Sequence, residues 1–333
     1  YILYLLHNKK RRRCVIHEIE VVGIDCPCVD LAVKRSVYAG IQMELSKSRT
    51  LAWQGGGKVA TGIVAAARLG AKGAVLGAVG DDSYGKFVDE DFIHHGLDTS
   101  YLKKREGKTT NFDIVLSNRE TMGRCILYYP GTAEQLQAEE LPLEYLTNTK
   151  YLFISMLNPV VDLAVDIARK AGAKIFIDAD SDSEELRQMI PKIDVFVASE
   201  FVYNAMFDGG DRQENCKKVM ELGPEIVVFT FGEKGCIGMT KGGYFELPAY
   251  KVDVVDTVGA GDVYHGAFLA GLLKGYSAEY TAKLASAVSA IKCTRIGGRA
   301  GIPDLETAQH FMETGVINYT DIDARVEFYK RGI

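Results

Sequence analysis

The 333-residue chain is 47% hydrophobic and 25% charged with a formal net charge of −5, values that exclude a disordered chain and give nucleic acid no electrostatic footprint. Its seven cysteines, odd in number and irregular in spacing, point to reduced thiols and a cytoplasmic location rather than to a disulfide framework. Length alone permits one large α/β domain or two ordinary ones.

Residues 1–20 read as an N-terminal extension in which the apolar YILYLL precedes the basic run Lys9 to Arg13. Six apolar residues are too few to span a bilayer or to form a signal sequence, so no membrane association is expected, and the basic run reads as a solvated flank. The chain begins with Tyr1 rather than Met, so its natural start is expected upstream. VVGI (21–24) is the first core strand, and the Cys26-Pro27-Cys28 triplet after it has no second Cys or His pair at ligand spacing, so its thiols read as buried apolar groups. Segment 31–53 alternates without a companion helix.

Helices are expected at 59–69 and 84–94 around a strand at 74–79. The alternating NFDIVLSN and RCILYY, within 107–130, read as a second helix-free pair of strands. Strands at 151–155, 174–178, 194–197 and 226–230 then alternate with helices at 160–171, 200–207 and 213–222. Three helices follow at 261–273, 278–292 and 305–312, and the tail 315–333 carries no usable signal. Short Val/Ile-rich runs alternating with helices predict an α/β fold, a doubly wound and mostly parallel sheet, here as one domain over 21–314. The two helix-free segments would form a small β-sheet lid.

Three Gly-rich stretches carry the chemistry. In VDTVGAGDVYHGAF, the small residues Gly259, Ala260 and Gly261 stand before Asp262 and an apolar helix. As structure alone, this is a tight turn capped by aspartate. Read chemically, a helix start without bulky side chains binds an anion, and a carboxylate placed there repels that anion unless it has a task. QGGGKVATG (54–62) lacks both the Ser/Thr of a Walker loop and the spacing of a dinucleotide fingerprint. It reads as a backbone-lined pocket for a hydroxyl-rich ligand, with Lys58 pointing in. FTFGEKG (229–235) is a glycine turn at a strand's carboxyl end, where ligands of open α/β sheets bind.

These motifs, in this order, resemble the ribokinase-like (PfkB) family of carbohydrate kinases over roughly residues 21–314. The resemblance implies ATP and Mg²⁺ as cofactors and a small sugar as partner. Asp262 would then be the general base and the amides of Gly259, Ala260 and Gly261 the anion hole. It also implies sugar contacts from Asp30, Gly56, Gly57, Lys58, Thr61 and Asn158, and nucleotide contacts from Ser199, Thr230, Gly232 and Gly235. Asp256, with carbonyls around Arg295 to Gly297, would hold a monovalent cation such as K⁺. The family often pairs its lids, and Ile114, Leu116, Ile126 and Tyr128 would suit a homodimer of that kind.

Three departures from the family's pattern bear on substrate and efficiency: Thr61 stands where the family usually has Asn in the sugar loop, Ser199 to Val202 stands for the Asn-x-x-Glu associated with magnesium and phosphates, and Asn158 stands where ribokinases often have Glu before Pro159. The expected activity is transfer of the γ-phosphoryl of ATP to a primary hydroxyl of an unphosphorylated sugar or sugar-like polyol. Lys58 is the main basic residue of the expected pocket, with Arg124 on the lid. A nucleoside kinase, with Trp53 or Tyr128 as a stacking platform, is the nearest alternative. A sugar-binding regulatory protein of weak turnover is the other, motivated by the altered Ser199 to Val202 region.

Overall fold

A computed structural model describes residues 19–35, 50–118, 124–330 and 333. Residues 1–18 of the extension, with its basic run, and the side chain of Arg124 lie outside the described residues. The described strands are β1 (Val21–Ile24), β2 (Cys28–Arg35), β3 (Thr50–Gly56), β4 (Gly73–Gly80), β5 (Leu102–Arg105), β6 (Asn111–Asn118), β7 (Arg124–Tyr129), β8 (Tyr151–Ile154), β9 (Lys174–Ala179), β10 (Val195–Ser199), β11 (Ile226–Thr230), β12 (Cys236–Thr240) and β13 (Gly243–Leu247).

Nine of them form one sheet in the order β13-β12-β11-β10-β9-β8-β1-β4-β5, parallel except that β12 runs antiparallel to both β11 and β13. Its central strands are buried on both faces, with alternate residues serving two cores. Val21, Phe153, Phe176 and Val197 face one side, and Val22, Leu152, Ile175 and Phe196 face the other. That double burial explains why they read as continuous apolar runs. β1 has β4 on one side and β8 on the other, so the chain reverses its direction of travel across the sheet there. The crevice beyond the carboxyl ends at such a reversal is where open α/β sheets bind ligands.

Four further strands, in the order β3-β2-β6-β7, make a separate small sheet from the two helix-free segments. β2 pairs parallel with β6 and antiparallel with β3, which places Asp30 directly between Gln54 and Asp113.

The helix Ala260–Leu273 is buried without a break from Val263 to Gly271, so it shows no amphipathic period. It crosses the helix Lys58–Arg68 at glycines, and a Cβ on Gly266 would lie 1.8 Å from the carbonyl oxygen of Gly62. This backbone-to-backbone approach sets the start of one helix against the start of the other. The tail forms the helix Thr320–Tyr329, whose buried residues are Ile322, Arg325 and Tyr329. A buried stripe that is partly polar leaves no hydrophobic period to read. β5 was missed for a related reason, since its LKKR sequence is that of a charged sheet edge. Among the described residues no helix is long and apolar enough to cross a membrane.

Candidate active site

The helix Ala260–Leu273 starts from Gly259 in the left-handed conformation, φ 72°, with no side-chain cap. An L-residue is strained at that φ, and a Cβ there would sit 2.9 Å from Cα of Gly298. Asp262 is therefore the third residue of the helix rather than its cap, and the first-turn amides are not used up by a side chain. Ala260 N–H donates to the Thr257 carbonyl at 3.1 Å, which turns that amide back into the loop. Gly261 is exposed, and a Cβ on it would meet nothing within 4 Å, so the surface above this turn is open.

Asp30 comes to the same place from the small sheet. Its Oδ1 lies against Gly56, where an added Cβ would approach within 2.1 Å, and accepts from the Cys28 thiol at 3.4 Å. Removal from water, then the Asp113 carboxylate, pushes the Asp30 carboxyl up to about 7, and Asp262 adds to the push. Burial likewise raises Asp113, one of whose carboxylate oxygens is enclosed without a hydrogen-bond partner among the described residues. The ligating atoms of Cys28, Asp30 and Asp113 all lie within 4.8 Å of one another. Cys26, by contrast, turns its thiol toward Met156 at 3.5 Å, so the CPC triplet is not a paired ligand, and Cys28 is buried among carboxylates rather than apolar groups.

Lys58 opens the helix Lys58–Arg68, but its ammonium is paired with Asp180 beyond β9. Asp180, Asp178 and Asp262 together hold it charged against partial desolvation. Asp25, at the end of β1, accepts from the amides of Cys26 at 2.8 Å and Ala60 at 2.7 Å and so braces the first turn of the same helix. Asp178 is buried at the end of β9, where desolvation, then Asp180, pushes it up to about 8. Its Oδ1 lies 3.3 Å from His265 Nε2, while His265 Nδ1 bonds the Gly261 carbonyl at 2.5 Å. A cavity of about 360 Å³ opens between Ser155, Asp180 and Glu185, at the carboxyl ends of β8 and β9.

Thr61 is 2% exposed, and its hydroxyl accepts from Arg299 Nε at 3.3 Å beneath the loop. Asn158 caps the helix Pro159–Lys170 by accepting from Val160 and Val161 at 3.0 Å each. It borders a small crevice with Asp25, Cys26 and Gln135. Ser199 and Thr230 are register partners at the ends of β10 and β11, and Gly232 and Gly235 form the turn that follows, with φ 57° and 92°. Glu200 is engaged by Lys234 at 2.8 Å.

Several residues here carried no sequence signal. Arg299 is fully buried and donates to the Gly56 carbonyl at 2.8 Å and to Asp91. Gln54 pins residues 296–300, accepting from Arg299 N at 2.7 Å and donating to the Ile296 carbonyl at 2.9 Å. Asp113 had a readable signal in its lid strand, but its pairing with Asp30 needs the register.

The model for the family described as pfkB family carbohydrate kinase matches residues 17–305. A 5-dehydro-2-deoxygluconokinase of Clostridium beijerinckii is 26% identical over 97% of this chain and 99% of its own length. An ATP-dependent 6-phosphofructokinase of Thermoanaerobacterium thermosaccharolyticum is 28% identical over 76% of this chain and 83% of its own. Among solved structures, an E. coli protein described as a ribokinase II, in complex with ATP and Mg²⁺, superposes with a TM-score of 0.78 at 20% identity, covering 88% of this chain and 99% of its own.

Proposed function

The chain belongs to the pfkB family of carbohydrate kinases, and from that premise we propose that it transfers the γ-phosphoryl group of ATP to a primary hydroxyl of a neutral sugar or sugar-like polyol. The observation that carries this reading is the convergence of Asp262, in the first turn of its helix beneath an open Gly261, with Asp30 against Gly56.

In this reading Asp30 and Asp113 accept hydrogen bonds from the acceptor's hydroxyls and fix its orientation. Asp262 takes the proton from the attacking hydroxyl. The Gly261 amide at the helix start faces the phosphoryl oxygens, where a fixed dipole stabilises the charge of the transition state. Ala260 supports the turn through its bond to Thr257. Thr61 and Asn158 act at one remove, by holding Arg299 and a helix start. Gly56, Gly57 and Lys58 form the floor of the sugar loop. Ser199, Thr230, Gly232 and Gly235 form the nucleotide's edge.

Bound Mg²⁺ neutralises charge on the nucleotide phosphates. In the Ser199 to Val202 segment, Glu200 is the carboxylate that would be offered to that ion, and it is paired with Lys234.

The charge balance supports a neutral acceptor. Asp30 lies beside Asp113 and feels the charge of Asp262, while Lys58 is paired with Asp180 and Arg299 with Asp91. An added phosphate or carboxylate on the sugar would meet like charge. Trp53 packs on Tyr84 and Phe112, with centroids 6.1 and 5.9 Å away, which removes it as a free stacking platform and leaves exposed Tyr128 as the platform a nucleoside acceptor would need. The register puts Ile126 and Tyr128, exposed on β7, on the face of the small sheet that carries Asp113, and Ile114 and Leu116 on the opposite face, so the four do not form one patch, and a homodimer through paired small sheets would rest on Ile126 and Tyr128. Sedimentation as a monomer at micromolar concentration would count against that pairing.

The test is ADP release with a panel of neutral sugars, sugar phosphates, sugar acids and nucleosides. Neutral sugars are expected to stimulate release, and Asp262→Asn to lower kcat about 10²- to 10⁴-fold while calorimetry still detects sugar binding. Full activity in that variant, or stimulation only by sugar phosphates, sugar acids or nucleosides, overturns the reading.

A further inference from the structure

Lys292 ends the helix Ala278–Lys292 and is fully buried, 0% exposed. Its ammonium donates to the main-chain carbonyl of Asp256 at 3.0 Å. Burying an ammonium is expensive unless its surroundings compensate it, so a lysine here needs a reason.

Its setting is the loop that leads into the phosphoryl-binding turn. Val255 and Asp256 donate their N–H groups to the Cys293 carbonyl at 2.7 and 3.0 Å. The Asp256 carboxylate accepts from Val258 N at 3.1 Å and from Gly297 N at 2.9 Å. Residues 255–258 and 292–297 are thus stitched together around a buried carboxylate and a buried ammonium, three residues before Gly259.

This is where the sequence resemblance implied a monovalent cation, and the residues present do not fit one. Both Asp256 carboxylate oxygens already accept backbone N–H groups. The Ile296 carbonyl is bonded by Gln54 at 2.9 Å, and the Thr294 carbonyl by Arg295 at 2.9 Å. An alkali ion added to this cluster would also lie beside the fixed positive charge of Lys292.

We propose that Lys292 takes the place of a monovalent cation: its ammonium holds the 255–258 loop in register and supplies permanent positive charge behind the turn that receives the phosphoryl group, so turnover does not require K⁺. Lys292 is a positioning residue in this account, acting through Asp256 and the loop rather than touching substrate. The inference rests on the kinase reading above.

The experiment measures turnover with the best neutral acceptor in KCl, NaCl and choline chloride at equal ionic strength, for the wild type, Lys292→Arg and Lys292→Met. Wild-type kcat is expected to agree across the salts within about twofold, since positioning and fixed charge are already built in. Lys292→Arg should retain most of it. Lys292→Met should lose about tenfold or more in kcat with a smaller change in KM, and K⁺ should restore part of that loss where choline does not.

Melting temperature gives a readout that needs no turnover. A cation site occupied at about 100 times its Kd would add about 2.7 kcal/mol of stability, so the wild type should melt at the same temperature in KCl and choline chloride. Wild-type turnover that depends on K⁺, a K⁺-specific rise in melting temperature, or full kcat in a folded Lys292→Met each overturns the proposal and leaves the kinase reading standing. No turnover with any acceptor in any salt overturns both.

Discussion

Replacing Arg299 by Met tests whether the buried network beneath the sugar loop is a working part of the site. The guanidinium pairs with Asp91, bonds the Gly56 carbonyl at 2.8 Å and Thr61 at 3.3 Å, and packs 5.0 Å from the Phe92 ring centre. Asp91 is 1% exposed and also accepts from the Tyr329 hydroxyl at 2.5 Å. Burial, the largest single influence, would raise the Asp91 carboxyl, but Arg299, His95 and the Tyr329 hydroxyl together hold the group below the usual carboxylate range.

Met fills much of the space but leaves Asp91 as an uncompensated buried charge, a loss of about 3–5 kcal/mol. At roughly 2–4 °C per kcal/mol for a domain somewhat smaller than this one, the melting temperature should fall by about 6–20 °C. Sugar affinity should weaken as well, because the Gly56 carbonyl loses its anchor, whereas nucleotide affinity should hold.

The control is Arg299→Met combined with Asp91→Leu. An apolar pair in place of a buried ion pair is often neutral, so the double variant should recover most of the stability. It should not recover sugar affinity, since Gly56 still lacks its donor. Calorimetric unfolding and titration of all three proteins complete the cycle. A loss below about 1 kcal/mol in Arg299→Met, or sugar affinity restored in the double variant, would refute the reasoning.

Three further outcomes are expected. Because the folded chain raises the Asp30 carboxyl to about 7, Asp30 favours folding most below the unfolded carboxylate pKa, and that contribution is lost as pH rises through about 7. Asp30→Asn should accordingly raise melting temperature more near pH 8 than near pH 5, and a pH-independent difference would count against the raised value. Gly259→Ala forces an L-residue to φ 72° against Gly298, costing about 1–2 kcal/mol in the backbone alone. It should reduce kcat more than sugar affinity, and an unchanged kcat would remove the turn from the mechanism. Tyr329→Phe removes the hydroxyl shared with Asp91 and, at 2.7 Å, with His95. Urea unfolding should show a loss of about 1–3 kcal/mol, and no change would mean that the tail helix lies outside the cooperative unit.

The alternation of Val/Ile-rich runs with helical periods was enough to place β1, β4, β8, β9, β10 and β11, because a strand buried on both faces must be apolar whatever its neighbours are. Glycines at a helix start are legible for the same local reason: positive φ and exposed amides are properties of the backbone, so the 259–262 turn announced itself in sequence. What only the tertiary structure decided is the set of partners. Asp30 meets Asp113 through strand register, and Thr61 turns under the loop because Arg299, 238 positions later, reaches it. Lys292 is buried beside Asp256 rather than solvated at a helix end. Residues such as Arg299, Lys292, Arg325 and Tyr329 look like surface residues to any local rule, since a polar group at an interior position is recognisable only by the partner that compensates it. That compensation is set by contacts between distant segments, which no window of the sequence contains.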